Sequence, residues 1–197
     1  MIEAADTADH DNLDRQTVHE VLNGNRDAFR LLVERYSGPI YSLALRLSAQ
    51  PEDAEEAVQE IFSRVYDSLH TFNPEHRFFS WLYSIAVNYM RSRHRSRTGR
   101  QNRNTIQLQI FGDAAFLNPT SVRPEDSAVQ QAAERAVQAA LNQIPAKHKE
   151  VFVLRHIQEL SSKETAEILG LPENTVKTYL LRARRKLAQI LTSWEWS

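Results

Sequence analysis

The sequence has no cysteine in its 197 residues, which excludes a disulfide framework and a thiolate metal site. Glycine, with five residues, and proline, with seven, are also scarce, and this favours helices over a turn-rich sheet protein. No apolar run approaches the roughly 18 residues needed to span a bilayer. The acidic N-terminus also lacks the pattern of a signal peptide. We therefore expect a helical protein of the cytoplasm.

The formal net charge is only −1, but the charges are strongly segregated along the chain. Residues 1–20 carry six acids and one arginine, and residues 52–60 carry five acids and no base. Residues 91–103 carry six arginines and no acid, and residues 177–186 carry five bases and no acid. This separation predicts distinct acidic and basic surfaces for different partners.

Most apolar residues recur with the helical period, which predicts an all-α protein. Helices are expected over residues 28–47, 51–72 and 76–97, and Pro39 is expected to bend or divide the first of them. Residues 98–127 are polar and lack a sustained apolar stripe. We interpret this segment as a linker between two helical domains.

Further helices are expected over residues 129–142 and 146–157, with Pro145 between them, and two more within residues 161–187. The predicted fold class is therefore all-α, with two helical domains joined by a polar linker. The expected divisions are an N-terminal acidic segment 1–24, a first domain 25–97, the linker 98–127, a second domain 128–192 and a tail 193–197.

The stretch SSKETAEILGLPENTVKTYLLRARRKL, residues 161–187, has the turn chemistry of a helix-turn-helix. Ser161 and Glu164 have the spacing of a capping box, which predicts a helix that begins just after Ser161. Gly170 can end that helix with a positive φ, and Pro172 suits the start of the next one. A tight pair of helices of this kind is a common DNA-binding unit.

The second helix of this stretch has an apolar stripe and an opposite polar face. The stripe, expected to face the core, contains Val176, Leu180, Ala183, Leu187 and Ile190. The opposite face presents Asn174, Thr178, Leu181, Arg182 and Arg185, and it is flanked by Lys177 and Arg184. Arginine can pair with guanine edges, threonine can hydrogen-bond and leucine can contact a thymine methyl group, while flanking cations bind phosphates. The helix is therefore predicted to recognise DNA.

Two runs in the N-terminal half carry a more specific signal. AVQEIFSRVYDSLHTF (57–72) followed by FFSWLYSIAVNYMRSR (78–93) closely resembles region two of bacterial sigma factors of the sigma-70 family, most of all the extracytoplasmic-function (ECF) group. The second helical domain resembles region four of the same proteins. The resemblance covers residues 25–97 and 127–190. It implies a non-enzymatic protein that directs core RNA polymerase to promoters, without a cofactor, a metal or a small-molecule substrate.

The resemblance also implies a role for individual residues. Region two recognises and melts the minus-ten element, and region four recognises the minus-thirty-five element. Core polymerase, through the coiled coil of its largest subunit, is expected to bind Asp53, Glu56, Gln59, Glu60 and Phe62. The residues implied for the minus-ten element are Phe72, Arg77, Phe78, Trp81, Tyr83, Asn88, Arg91, Arg93 and Arg95. Those implied for the minus-thirty-five element are Asn174, Thr175, Lys177, Thr178, Leu181, Arg182, Arg184 and Arg185.

The expected partners are core RNA polymerase, including its flap, promoter DNA and a cognate anti-sigma factor, in a response to stress. The expected location is the cytoplasm, either with the nucleoid or at the inner membrane through the anti-sigma factor. Trp194 and Trp196 are expected to pack on the second domain or to cover a partner surface.

Two alternatives remain at this point. The helix-turn-helix is also similar to the output domain of LuxR-type regulators, but residues 1–97 show no strand–helix alternation of a receiver domain. An enzyme is the second alternative, although the sequence has no HExxH, phosphate loop or nucleophile elbow. His148 and His156 stand eight positions apart, a poor spacing for a shared metal, and are expected to pack or to lie at the surface.

Overall fold

The computed structural model describes residues 3–48, 52–97 and 127–195, with side chains over 10–48, 53–94 and 132–193. These ranges are helical and contain no strand, so the all-α prediction is confirmed for them. The helices are α1 (Glu3–Leu22), α2 (Phe29–Leu47), α3 (Glu52–Ser68), α4 (Phe78–Arg97), α5 (Ser127–Asn142), α6 (Ala146–Phe152), α7 (Ser162–Leu169) and α8 (Glu173–Glu195). We call α1–α4 the N-terminal unit and α5–α8 the C-terminal unit.

Helix α2 continues through Pro39, so of the two effects expected of this proline, bending or dividing the helix, the division does not occur. A proline inside a helix removes one backbone hydrogen bond and costs roughly 3 kcal/mol. The helix persists because residues on both sides of the proline are buried, among them Tyr36, Ile40 and Leu43. Packing of an apolar face supplies most of the stability of a helix in a protein.

The core of the N-terminal unit lies where α3 packs between α2 and α4. The predicted apolar stripe of α3 is confirmed as buried and contains Ala54, Val58, Ile61, Phe62 and Val65. The rings of Phe29 and Phe62 meet edge to face, with centroids 6.4 Å apart. Such aromatic pairs add to the stability gained from burial alone.

Helix α1 belongs to the same core, although its sequence is acidic. Val18 and Val21 are buried, and the carboxylate of buried Asp14 accepts hydrogen bonds from Arg35 and Tyr36 on α2. Burial raises the pKa of Asp14, while the bonds from Tyr36 and Arg35 oppose that rise. The packing of the N-terminal unit therefore begins well before residue 25, the expected start of the first domain.

The C-terminal unit contains the predicted helix-turn-helix. The amide of Glu164 donates to the hydroxyl of Ser161 at 3.1 Å, and the amide of Ser161 donates to the carboxylate of Glu164 at 2.8 Å, which confirms the capping box. Gly170 has a φ of 63° and ends α7, as predicted. Helix α6 runs on into a π-helical turn, Val153–Ile157, that leads to α7.

Two predicted features lie outside the described residues. The linker is one of them, except for Ser127, which begins α5. The other is the packing of Trp194 and Trp196, whose side chains are not among those described. Within the described ranges, no helix is both long enough and apolar enough to cross a membrane.

Candidate polymerase-binding and DNA-binding surfaces

The outer face of α8 has the orientation that the sequence predicts. Val176, Leu180, Ala183 and Leu187 are buried, and Ile190 is half-buried. On the opposite side lies the recognition face, defined as Asn174, Thr178, Leu181, Arg182 and Arg185, all of which are exposed. Leu181 is 50% exposed, so its methyl groups are accessible to a ligand.

The flanks of the recognition face have partners within the C-terminal unit. Lys177 forms an ion pair with Glu173 at 3.1 Å. Arg184 donates through Nε to Nε2 of His156 at 2.8 Å, and burial together with Arg184 and Arg155 lowers the pKa of that histidine. His156 is therefore an acceptor that orients Arg184. Thr175, also implied for DNA contact, is only half-exposed.

The acidic surface of α3 includes the residues expected to bind polymerase. Glu56 and Gln59 are exposed, while Glu60 is paired with Arg64 at 2.9 Å. Phe62 is only 1% exposed. Its expected contact with polymerase is therefore corrected: the side chain lies on the apolar side of α3 and supports the acidic face from beneath.

Arg93 lies against this acidic surface and not on a separate basic one. Its Nη2 is 3.0 Å from Asp53 and 2.6 Å from Glu56, and its Nη1 donates to the hydroxyl of Tyr89 at 3.0 Å. Asp53 is itself mostly buried. The predicted use of Arg93 as a phosphate contact thus competes with its role in holding the carboxylates of α3. The side chain of Arg95 lies outside those described.

The aromatic residues expected at the minus-ten element form a packed cluster. The ring centroids of Phe72, Phe78 and Trp81 are 5.5–5.7 Å apart. Phe72 and Phe78 are buried, and Trp81 is half-buried. The two phenylalanines therefore lie beneath the surface and support Trp81, since burial of their rings in the core is favourable. Asn88 is exposed as expected.

Arg77 connects three parts of the chain. Its Nε is 2.8 Å from a carboxylate oxygen of Asp11 on α1, and its Nη1 is 2.5 Å from one of Glu164 on α7. Burial raises the pKa of Glu164, but the hydrogen bonds from Ser161 and the Arg77 guanidinium outweigh this effect and hold it below its usual range. Arg77 therefore binds carboxylates in this conformation.

Tyr83 and Arg91 on α4 also contact the C-terminal unit. The hydroxyl of Tyr83 donates to Gln158 at 2.8 Å, and Gln158 donates to the hydroxyl of Ser42 at 3.2 Å. Arg91 donates through Nε and Nη2 to the two carboxylate oxygens of Glu150, at 2.9 and 2.8 Å. Tyr83 is 1% exposed, so its expected position at an open surface is corrected: Gln158 covers its hydroxyl.

The carbonyl end of α2 is capped from the other unit. The amide nitrogen of Gln138 lies 3.1 Å from the carbonyl oxygen of Ser48. Nζ of Lys149 lies 3.4 Å from the carbonyl oxygens of Leu47 and Ser48, and 2.8 Å from Oδ1 of Asn142. Burial lowers the pKa of Lys149 to about 8. Periodicity could not reveal these contacts, because they join residues about a hundred positions apart.

Comparison with known proteins identifies the two units. The family model for Sigma-70 region 2 matches residues 32–100, and the model for Sigma-70 region 4 matches residues 134–187. The chain is 33% identical to the ECF RNA polymerase sigma factor SigW of Bacillus subtilis (strain 168) over 187 residues, which cover 90% of this chain and 96% of SigW. The chain belongs to the ECF group of the sigma-70 family of RNA polymerase sigma factors.

Solved structures agree with this assignment. A structure of CnrH in complex with the cytosolic domain of CnrY has 26% identity and a TM-score of 0.69, covering 92% of this chain and 98% of that one. RpoE in complex with the anti-sigma factor NepR from Bartonella quintana shares the fold, at 23% identity and a TM-score of 0.58, covering 83% of this chain and 96% of that one. Sigma factors are transcription initiation factors. The matches support this class over the LuxR-type regulator, which remained an alternative on the helix-turn-helix alone.

Proposed function

We propose that this sigma factor divides promoter recognition between its two units while both are attached to core RNA polymerase. The observation that carries the proposal is the face of α8, where five exposed side chains suited to base contacts stand opposite a buried stripe. Asn174, Thr178, Leu181, Arg182 and Arg185 would contact the minus-thirty-five element. Lys177 and Arg184 would contact its phosphates.

The acidic face of α3 is the proposed docking site for the coiled coil of the largest polymerase subunit. Glu56 and Gln59 are exposed and project from a helix whose opposite side is locked into the core. Glu60 extends this face. Arg93 pairs with both Asp53 and Glu56 and so helps to fix the position of the Glu56 carboxylate. Carboxylates on a rigid helix favour a basic partner surface and speed its association.

The N-terminal unit is proposed to melt the minus-ten element. An unpaired base needs an aromatic surface on which to stack, and its backbone needs cations. Half-buried Trp81 and exposed Asn88 supply the surface, and Arg77 and Arg91 supply the cations. The buried rings of Phe72, Phe78 and Tyr83 act as the scaffold beneath.

Neither of the two proposed DNA-binding surfaces is sufficient for promoter recognition alone. A good bidentate base contact gives roughly 1–3 kcal/mol of discrimination, so one recognition helix does not select a promoter from a genome alone. Attachment of both units to one polymerase raises the effective concentration of the second contact once the first has formed. The C-terminal unit corresponds to the proposed domain 128–192, and the N-terminal unit adds helix α1 to the proposed domain 25–97.

A cognate anti-sigma factor is a further proposed partner. The similar sigma factor CnrH was solved with the cytosolic domain of a second protein, CnrY. We propose that this chain acts on DNA in the cytoplasm, without catalysis, and is controlled by such a protein as part of a stress response.

Run-off transcription with purified core polymerase tests the proposal. Promoters recovered from genomic fragments by the reconstituted holoenzyme should give discrete transcripts only when the chain is present. The variant Glu56→Lys with Glu60→Lys should lose most core affinity and most transcript, because it places like charges against a basic partner.

The matched control is Glu134→Lys with Glu159→Lys, which makes the same charge change at exposed positions of the C-terminal unit, away from α3. It should transcribe like the wild type, and circular dichroism should show that both variants are folded. No transcript with the wild-type chain would refute the proposed function. Equal loss in both double variants would refute the assigned docking face.

A further inference from the structure

Two arginines hold the carboxylates on the acidic face of α3, and both of them contact a single residue of α4, Tyr89. Glu60 accepts hydrogen bonds from Nε and Nη2 of Arg64 at 3.0 and 2.9 Å. Glu56 accepts a hydrogen bond from Nη2 of Arg93 at 2.6 Å. Tyr89 is not among the residues expected from the sequence to bind polymerase or DNA. Its position between the two arginines nevertheless connects it to the docking face.

Tyr89 contacts the two arginines with different parts of its side chain. The guanidinium carbon of Arg64 lies over the phenol ring, 4.9 Å from its centroid, which is within the range of a cation–π contact. The hydroxyl accepts a hydrogen bond from Nη1 of Arg93 at 3.0 Å. Because the ring contacts Arg64 and the hydroxyl contacts Arg93, a substitution can remove one contact and leave the other.

Tyr89 has little freedom of its own and can therefore act as an anchor. Its side chain is buried, and its helix packs against α3. Side chains in a packed core occupy defined rotamers, whereas a free arginine side chain samples many and loses conformational entropy when it is held. Contact with a fixed phenol therefore restricts the positions of both arginines, and through them the positions of the two carboxylates.

Each of the two carboxylates keeps one oxygen for a partner. Both nitrogens of Arg64 bind Oε1 of Glu60, and Arg93 binds Oε2 of Glu56. Oε2 of Glu60 and Oε1 of Glu56 accept no hydrogen bond from the residues that the structure describes. A carboxylate can accept several hydrogen bonds at once, so a basic partner can bind the second oxygens without displacing either arginine.

We propose that Tyr89 is a positioning residue for core polymerase, which holds the carboxylates of Glu56 and Glu60 in their binding orientation through the two arginines. The inference rests on the proposed docking of polymerase on this face of α3. A side chain that is already held loses less freedom when its partner binds. The expected contribution to core affinity is roughly two- to tenfold for each carboxylate.

The test uses two substitutions of Tyr89 in the full chain. Tyr89→Phe removes the hydroxyl and keeps the ring, so only the bond from Arg93 is lost. Tyr89→Leu also removes the contact of the ring with Arg64, while an apolar side chain still fills the core. The matched control is Tyr179→Phe, which removes the hydroxyl of a half-buried tyrosine in the C-terminal unit. That hydroxyl forms no hydrogen bond with the described residues.

The affinity for purified core polymerase is measured by competition with a dye-labelled wild-type chain. Tyr89→Phe should bind core about two- to tenfold more weakly than the wild type, and Tyr89→Leu more weakly again. The control should bind like the wild type.

The same substitutions are then made together with Glu56→Gln or with Glu60→Gln, because a double-mutant cycle measures the coupling between two residues. The loss caused by Tyr89→Phe should disappear with Glu56→Gln and persist with Glu60→Gln. The additional loss caused by Tyr89→Leu should disappear with Glu60→Gln. Circular dichroism checks that Tyr89→Leu is folded, and the result for Tyr89→Phe is sufficient if it is not.

Equal losses in both glutamine backgrounds would show that Tyr89 only supports the packing of α4, and would overturn its positioning role. Unchanged core affinity of the Tyr89 variants would overturn it as well. Tighter binding would do the same, because it would show that the arginines compete with polymerase for the carboxylates. If Glu56→Lys with Glu60→Lys kept full core affinity, the docking face would be refuted together with the role of Tyr89. If only the Tyr89 variants kept it, the docking face would stand.

Discussion

The two surfaces proposed to face promoter DNA differ in what occupies them in the free chain. On α8, Arg182 and Arg185 project into solvent and form no ion pair with the described residues. Along α4, Arg77 and Arg91 are bound by carboxylates from the other unit. Both surfaces are rich in arginine. They differ in how far the arginine side chains are buried and in whether these form ion pairs. Residue type therefore predicts the ligand chemistry of a surface but not its availability.

The largest effect on DNA affinity is expected from a substitution in the recognition face of α8. Arg182→Ala should weaken binding to a duplex upstream element by roughly tenfold to a hundredfold, because a bidentate base contact is worth about 1–3 kcal/mol. The loss should be similar for the free chain and for the holoenzyme, since the face is exposed without polymerase. Anisotropy with a duplex from a recovered promoter measures both.

The matched control for this change is Lys186→Ala, which removes one charge from an exposed position of the same helix outside the recognition face. It should reduce affinity only slightly. A loss of core affinity in Arg182→Ala would contradict the assignment, as would equal effects of the two substitutions.

A smaller effect is expected from the boundary between the units. Burial lowers the pKa of Lys149 from 10.5 to about 8. Between these values the unfolded chain binds more protons than the native one, so stability should rise with pH in this window. Against Lys149→Met, the wild type should gain roughly 1–2 kcal/mol from about pH 7 to about pH 10.

Urea unfolding of the two proteins across this pH range measures the difference. Among the described residues, the acceptors of the Lys149 ammonium group are neutral, namely Asn142 and the carbonyls of Leu47 and Ser48. A stability difference that is flat across the range, or that falls with rising pH, would show that Lys149 is not buried at this boundary in solution.

The smallest effects, on the free energy of unfolding, are expected from replacing one glycine in each unit. Gly170 has a φ of 63°, and Gly170→Ala should destabilise the C-terminal unit by roughly 1–2 kcal/mol because the left-handed conformation is costly for alanine. Gly38 lies inside α2 with nothing within 4 Å of an added Cβ. Gly38 is followed by Pro39, whose ring disfavours a helical backbone for a preceding residue that carries a Cβ. The usual gain of a Gly→Ala change in a helix, about 0.5–1 kcal/mol, should therefore be offset in Gly38→Ala, with a net change near zero.

Thermal unfolding followed by circular dichroism measures both changes, with the wild type as reference. A clear loss of stability for Gly170→Ala and a change near zero for Gly38→Ala are the expected results. If Gly170→Ala were neutral, the turn between α7 and α8 would not need a left-handed residue, and the assigned geometry of the helix-turn-helix would be wrong.

Much of the fold follows from local sequence. The capping box at Ser161, the turn at Gly170 and the buried stripe of α8 each depend on residues a few positions apart, and all three were predicted. The continuity of α2 at Pro39 was not predicted, because packing of Tyr36 and Ile40 outweighs a local preference.

The candidate sites were less accessible to sequence reasoning. An aromatic residue on a helix has the same signature whether it supports a surface or forms it, so the sequence left the role of Phe62, Phe78 and Tyr83 open, and the structure buries all three. The pairing of Arg91 with Glu150 joins positions 59 apart in sequence. Charge segregation indicated that acidic and basic surfaces exist but not that the chain brings some of them together.

Glu164 shows how such a contact restricts change in the sequence. One carboxylate oxygen accepts the amide hydrogen of Ser161, and the other binds Arg77. A mutation that shortens or removes this side chain damages the start of the helix-turn-helix and the contact between the units together. Glutamine can keep the cap while weakening the ion pair. Selection for a looser or tighter contact between the units would thus act more freely on Arg77, whose replacement leaves the cap of α7 intact.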